Sequence, residues 1–156
     1  MALAIEIRDL RFRYPGAAVD CLDIELLRVE AGARVFLYGP SGSGKSTLLS
    51  LIGGVIQMQQ GTLNLLGKNI AHIRPTICDR LRADHIGFIF QQFNLIPYLS
   101  VMDNVLLPCR FSSRRQQRAL AEGGTLPETA RRLLSHLQLE NTEHIPVTQL
   151  SVGQQQ

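Results

Sequence analysis

The stretch Gly39-Pro40-Ser41-Gly42-Ser43-Gly44-Lys45-Ser46-Thr47 fits the pattern G-x-x-x-x-G-K-[ST] at Gly39, Gly44, Lys45 and Ser46, the spacing of a phosphate-binding loop. Its flanks have the order this chemistry requires. Ala33 to Tyr38 reads as a short apolar strand, and Ser46 to Ile52 as the start of an amphipathic helix. Glycines at 39, 42 and 44 free the backbone to wrap successive N–H groups around one anion, and the helix that follows aims its positive end at the same point. Lys45 adds a mobile cation for β- and γ-phosphates, and the Ser46 hydroxyl is a hard oxygen donor suited to Mg²⁺. The alternative is a Gly/Ser-rich turn that only links a strand to a helix; the position at a strand-to-helix junction favours the phosphate loop.

Working outward, Leu3 to Tyr14 alternates as one strand that ends at Pro15-Gly16, and Cys21 to Leu26 alternates as a second. A turn at Ala31-Gly32 leads to the strand Arg34–Tyr38, read as a buried strand that feeds the phosphate loop. Beyond the first helix, stopped by Gly53-Gly54, the spacing predicts a strand between Gly61 and Gly67, a helix over Pro75 to Asp84, and an apolar strand from His85 to Phe90 that runs into Gln91-Gln92. From there the period is helical, in Val101 to Leu107 and Leu126 to Leu139, with a short helix and a mobile loop at Gly123-Gly124 between them. No strand is expected after Phe90.

With 156 residues, 45% hydrophobic and 19% charged, the chain has the size of one domain and the composition of a soluble globular protein. No segment has the length and apolarity of a membrane span, and from the residues Met1 to Arg8 no secretion signal is expected. Cys21, Cys78 and Cys109 are widely spaced and read as reduced thiols, without a C-x-x-C pair for zinc or redox chemistry. The net charge is +3. Arg110, Arg114, Arg115 and Arg118 are either a nucleic-acid patch or a solvated helix face or docking surface. The second reading is preferred because no aromatics are interleaved for stacking, so no nucleic-acid partner is expected.

Read together, Lys45, Gln91 and the closing Leu150-Ser151-Val152-Gly153-Gln154 closely resemble the ATP-binding domain of ABC transporters. The run Ile86-Gly87-Phe88-Ile89-Phe90-Gln91-Gln92-Phe93-Asn94-Leu95-Ile96-Pro97 is similar to the lipoprotein-releasing and macrolide-export branch. The resemblance spans nearly the whole chain. It implies an α/β P-loop NTPase fold, an ABC-type nucleotide-binding domain with a partial core over 1–90, and a segment over 91–156 holding the glutamine loop and a helical subdomain that ends in the signature motif. ATP and Mg²⁺ are the implied cofactors. The implied partners are a transmembrane transporter subunit, which would place the chain in the cytoplasm at the inner face of the membrane, and a second nucleotide-binding subunit.

Position by position, the resemblance assigns nucleotide contacts to Gly39 through Thr47. Tyr14 matches the aromatic that stacks on adenine; the bland alternative is a core tyrosine beside Phe12. Gln91 matches the glutamine that touches Mg²⁺ or the attacking water, with Gln92 in reserve if the strand is one residue longer. Ser151, Gly153 and Gln154 match the signature that closes over the γ-phosphate held by a partner subunit. The family has glycine where Val152 stands, and often an acid where Ala33 stands. The family's later elements, an apolar strand closing on Asp, a catalytic Glu after it and a switch His, find no match in these residues. The chain is therefore expected to be an ATP-binding fragment without hydrolytic residues of its own, lacking the C-terminal part of the core sheet and leaving an apolar edge unpaired at Val35–Tyr38. It would arise by gene truncation, a frameshift or an incomplete gene model. The alternative is a working transport ATPase completed by a separately encoded chain; a small-molecule kinase would leave Gln91 and the signature unexplained.

Overall fold

The computed structural model describes residues 2–90 and 93–156. The chain forms two compact units, Met1–Arg82 and Ala83–Gln156.

The first unit is built on a four-stranded antiparallel sheet of order β2-β1-β3-β4, with β1 Leu3–Phe12, β2 Leu22–Glu30, β3 Gln60–Leu65 and β4 Lys68–Asn69. In β1 the buried residues change phase, from odd-numbered Ile7 to even-numbered Leu10 and Phe12. The cause is a bulge. Arg8 pairs with Thr62 of β3, but the next partners are Arg11 and Gln60, so one extra residue flips the alternation and keeps both halves of the strand facing the core. Asp9 takes φ 49° within this bulge. Opposite it, Gly61 has φ +94°, and a Cβ there would lie 2.5 Å from the carbonyl oxygens of both Arg8 and Asp9, so only glycine lets the two backbones approach. Leu66 and Gly67, both at positive φ, close the β3–β4 hairpin as a two-residue turn.

Helix α1 (Lys45–Ile52) buries Thr47, Leu48 and Leu51. Helix α2 (Pro75–His85) buries Leu81. Gly53 and Gly54 end α1: the Gly53 N–H donates to the carbonyl of Leu49 and the Gly54 N–H to that of Leu51, as the sequence predicts for this position.

Two predicted strands are absent. Neither Arg34–Tyr38 nor His85–Phe90 forms a ladder, and His85 is the last residue of α2. Val35, Phe36, Leu37 and Tyr38 are exposed rather than buried, and so are Phe88, Ile89 and Phe90. A strand apolar on both faces is stable only when sheet neighbours satisfy its backbone and further layers cover its side chains. Among the described residues nothing pairs with either segment. Within each segment the aromatic rings stack: Phe36 and Tyr38 with centroids 6.2 Å apart, and Phe88 and Phe90 at 5.7 Å.

The second unit is helical: α3 Val101–Phe111, α4 Ser113–Gly123, α5 Leu126–His136 and a closing turn, α6, Val152–Gln155. Its core is Val101, Leu134, Leu139, Val147 and Leu150, with Leu95, Val105 and Ile145 packed around it. Side-chain caps start each of the three longer helices. Ser100 accepts from Asp103 N–H, Ser112 from Arg115 N–H and Thr125 from Glu128 N–H, each satisfying a first-turn donor. At Gly123-Gly124, where a loop is predicted, α4 runs into a tight turn instead. Gly124 takes φ +78° and donates its N–H to Leu120 O, and Thr125 at once caps α5. The arginines of this region are tied in different ways. Arg110 pairs with Asp103 at 2.9 Å and Arg118 with Glu122 at 3.6 Å, while Arg115 donates to the carbonyls of Ala83 and Ile86. The last of these braces the C-terminal end of α2.

Candidate functional site

The phosphate-loop sequence joins the 34–38 segment to α1. Gly42 and Gly44 have φ +82° and +84°, values a residue with a Cβ seldom adopts. Gly44 is also sterically fixed: a Cβ there would lie 2.6 Å from Leu22 Cδ2 and 2.9 Å from the Cys21 carbonyl oxygen. It is the N-cap of α1, with no side-chain cap and no acidic residue in the first turn. The first-turn N–H groups and the positive helix end are thus left to the loop rather than to a protein carboxylate.

The loop curls around one ammonium group. Lys45 Nζ donates to Gly39 O at 2.9 Å, Pro40 O at 2.7 Å and Ser43 Oγ at 3.4 Å. The three donors of one lysine thereby meet three acceptors of the loop. Ser41, Ser43 and Ser46 are exposed, so the Ser46 hydroxyl lies at the surface of the first helical turn. Space also remains at Gly42, where nothing lies within 4 Å of a notional Cβ.

Tyr14 is brought to the same place. Its hydroxyl shares a hydrogen bond with Thr47 Oγ1 at 3.1 Å, and Cys21 Sγ donates to that oxygen at 3.5 Å. The ring meets Phe12 edge-on, at 5.0 Å and 87°, yet Tyr14 stays 46% exposed. Both sequence readings thus have a structural counterpart: an edge packed on Phe12 and a ring surface open to solvent. Thr47 is buried, with its hydroxyl turned toward Tyr14 and Cys21.

The remaining site residues are placed as follows. Gln91 and Gln92 lie outside the described residues. Ser151 caps α6 in a reciprocal box: its Oγ accepts from Gln154 N–H at 3.3 Å, and its own N–H donates to Gln154 Oε1 at 2.9 Å. Both polar side chains of the signature therefore serve the helix start, and Gly153 has open space beside it. The structure brings Tyr14 and residues 39–47 together within the first unit; Ser151, Gly153 and Gln154 belong to the second. Sequence reasoning missed Gln59. Its amide both accepts from Arg13 N–H at 3.0 Å and donates to Arg13 O at 2.8 Å, next to Tyr14. A pairing across 46 residues leaves no local signal.

A family model described as ABC transporter matches residues 23–156. The chain belongs to the ABC transporter family. Among curated ABC transporter proteins it is similar to the macrolide export ATP-binding/permease protein MacB of Shigella flexneri, with 39% identity over 160 aligned positions. To the MacB of Escherichia coli strain K12 the identity is 37%. Each alignment takes in all of this chain and 23% of the relative, so the chain spans about a quarter of the length of these proteins. Among solved structures it matches the dimeric form of MJ0796, a bacterial ABC transporter cassette, with a TM-score of 0.74 and 32% identity. A second match is MJ0796 in a post-hydrolysis state bound to ADP and Pi, with a TM-score of 0.75 and 30% identity. Both cover 97% of this chain and 65% of the MJ0796 chain. The fold is that of an ABC cassette, α/β with an antiparallel sheet and helices, over part of its length. Among the described residues no helix is long and apolar enough to cross a membrane.

Proposed function

We propose that this chain is the ATP-binding part of an ABC exporter cassette, with the nucleotide's phosphates held by residues 39–47. The observation that carries this is the loop itself, in which three backbone and side-chain oxygens converge on Lys45 at the start of an uncapped helix. An incoming polyphosphate replaces those oxygens as the ammonium's acceptors and meets the helix N–H groups. Ser46 fits Mg²⁺, because its exposed hydroxyl supplies one hard oxygen donor while phosphate oxygens and water supply the rest. The ion's role, when bound, is to neutralise charge between the β- and γ-phosphates. Tyr14 offers its open ring surface to adenine. Gln91, Ser151, Gly153 and Gln154 complete the proposed site, the last three toward the nucleotide of a second copy.

Hydrolysis belongs, in this reading, to the whole cassette, of which the chain matches 65% in MJ0796. The proposed partners are a permease and a second ATP-binding subunit, at the cytoplasmic face of a membrane. The similarity to proteins named macrolide export ATP-binding/permease supports this direction of transport. The test is equilibrium titration with a fluorescent ATP analogue, with and without Mg²⁺. Lys45→Ala is expected to weaken binding about a hundredfold, the effect of two to three kcal/mol from lost charge-assisted hydrogen bonds. Unchanged affinity in Lys45→Ala would remove the assignment.

A further inference from the structure

Where β1 leaves the sheet, its last partner on β3 is Gln60, opposite Arg11. Two residues on, the main chain of Arg13 is held by a side chain instead. Arg13 N–H donates to Gln59 Oε1 at 3.0 Å, and Gln59 Nε2 donates back to Arg13 O at 2.8 Å. A carboxamide offers one acceptor and one donor face, like a peptide unit, so Gln59 extends the ladder by one rung past the end of the strand. The other edge of this turn is pinned too. Cys21 N–H donates to Phe12 O at 2.8 Å, and Arg13 Nε pairs with Asp20 at 2.8 Å. Tyr14 follows Arg13 directly, and an open pocket of about 500 Å³ is lined by Tyr14, Arg13 and Gln59 among others.

We infer that Gln59 is a positioning residue for base recognition: by clamping the Arg13 main chain, it sets the angle at which the Tyr14 ring is presented to adenine. This rests on the reading of Tyr14 as the base platform. The side-chain amide of Gln59 is engaged on the Arg13 main chain, so its effect on binding is confined to the base and passes through Tyr14.

The experiment compares Mg-ATP with Mg-tripolyphosphate, which has no base, on the full chain, by competition against a fluorescent nucleotide. Tyr14→Ala is expected to weaken ATP about fivefold, the size of one aromatic contact, and to leave tripolyphosphate unchanged. Gln59→Ala should weaken ATP about threefold, on the scale of a misaligned stack, again without effect on tripolyphosphate. The double variant should match Tyr14→Ala alone, because a residue acting through another adds nothing once that other is gone. Should Gln59→Ala precipitate, Gln59→Met removes the amide while keeping the length of the side chain, with the same expectations. As a second readout, the chain contains no tryptophan, so Tyr14→Trp places a single, selectively excited tryptophan at the platform; its quenching by ATP should shrink when Gln59→Ala is added.

Wild-type ATP affinity in Gln59→Ala, equal losses for ATP and tripolyphosphate, or additive losses in the double variant would each overturn the inference. If Tyr14→Ala weakens ATP and Gln59→Ala does not, the platform stands and only the clamp's role falls. If Tyr14→Ala has no effect, the platform reading fails first and the inference goes with it.

Discussion

Strand β1 and the segment Arg34–Tyr38 both have strand length and apolar side chains to bury, yet their fates are opposite. In β1, Ile7 and Leu10 are 0% exposed and the backbone pairs on both edges, with β2 and with β3. In the other, Phe36 is 86% and Tyr38 82% exposed, and no ladder forms. Local composition does not explain the difference, since the second is as apolar as the first. Partners do. The neighbours of β1 are antiparallel and supplied by residues 22–30 and 60–65. A strand that feeds a phosphate loop belongs to a sheet covered on both faces, and no such neighbour stands beside 34–38 among the described residues. Hydrophobicity makes a stretch able to be a strand; pairing and cover decide whether it is one.

Truncating one side chain in each region gives the largest test of this contrast. Ile7→Ala should lower unfolding stability by about 2–5 kcal/mol, the cost of emptying a filled core site. Phe36→Ala should change it by less than about 0.5 kcal/mol, as for an exposed substitution. Urea denaturation of both variants measures this, and equal losses would mean that 34–38 is paired and covered in solution. Next in size is Gly61→Ala, which acts on the backbone of the region that does pair. A Cβ on Gly61 meets two carbonyl oxygens at 2.5 Å, at φ +94°, so the β1 bulge must shift or β3 must release it, at a cost of about 1–3 kcal/mol. The urea midpoint checks it. A neutral Gly61→Ala would show that the bulge is softer than its contacts imply.

The sequence was legible wherever a few neighbouring residues settle the matter. The phosphate loop is fixed by Gly42, Gly44 and Lys45 within one turn of chain, and Gly53 and Gly54 end α1 by bonds to residues only four and three positions back. Helices α3 and α5 form where helical periods are predicted, although α3 runs on to Phe111 through Pro108 and Leu133 of α5 stays exposed. The sequence reads Leu3 to Tyr14 as one alternating strand; the change of phase between Ile7 and Leu10 comes from a bulge opposite Gly61, on another strand. At the candidate site, Tyr14 was legible as an aromatic with two possible roles. Its hydroxyl contact with Thr47, 33 residues away, and the clamp from Gln59 were not legible, because nothing in a single sequence marks which distant polar side chain will meet a given backbone group.

The smallest expected effect concerns the charge that ties the paired region together. Glu6, with a side chain 16% exposed, accepts from Arg8 at 2.7 Å and from Arg28 at 3.0 Å, and from Asn64 Nδ2 at 3.4 Å. One carboxylate thus links β1, β2 and β3. The hydrogen bond from Arg8, then that from Arg28, holds its pKa below the ordinary glutamate value of 4.5. The sign follows from linkage. A depressed carboxyl favours the folded state at every pH above its unfolded value, and that contribution fades as pH falls toward and through the folded value. Wild type should therefore be more stable than Glu6→Gln at pH 7, and the gap should narrow as pH falls below the unfolded value toward the folded one. Because both arginines are about half exposed, the gap should also shrink in 1 M salt, where screening acts within a few ångströms. Urea midpoints of the two proteins at pH 7 and pH 3, each at low and high salt, decide the matter. A gap that persists unchanged at pH 3 would mean that Glu6 works by packing on the sheet and not by its charge.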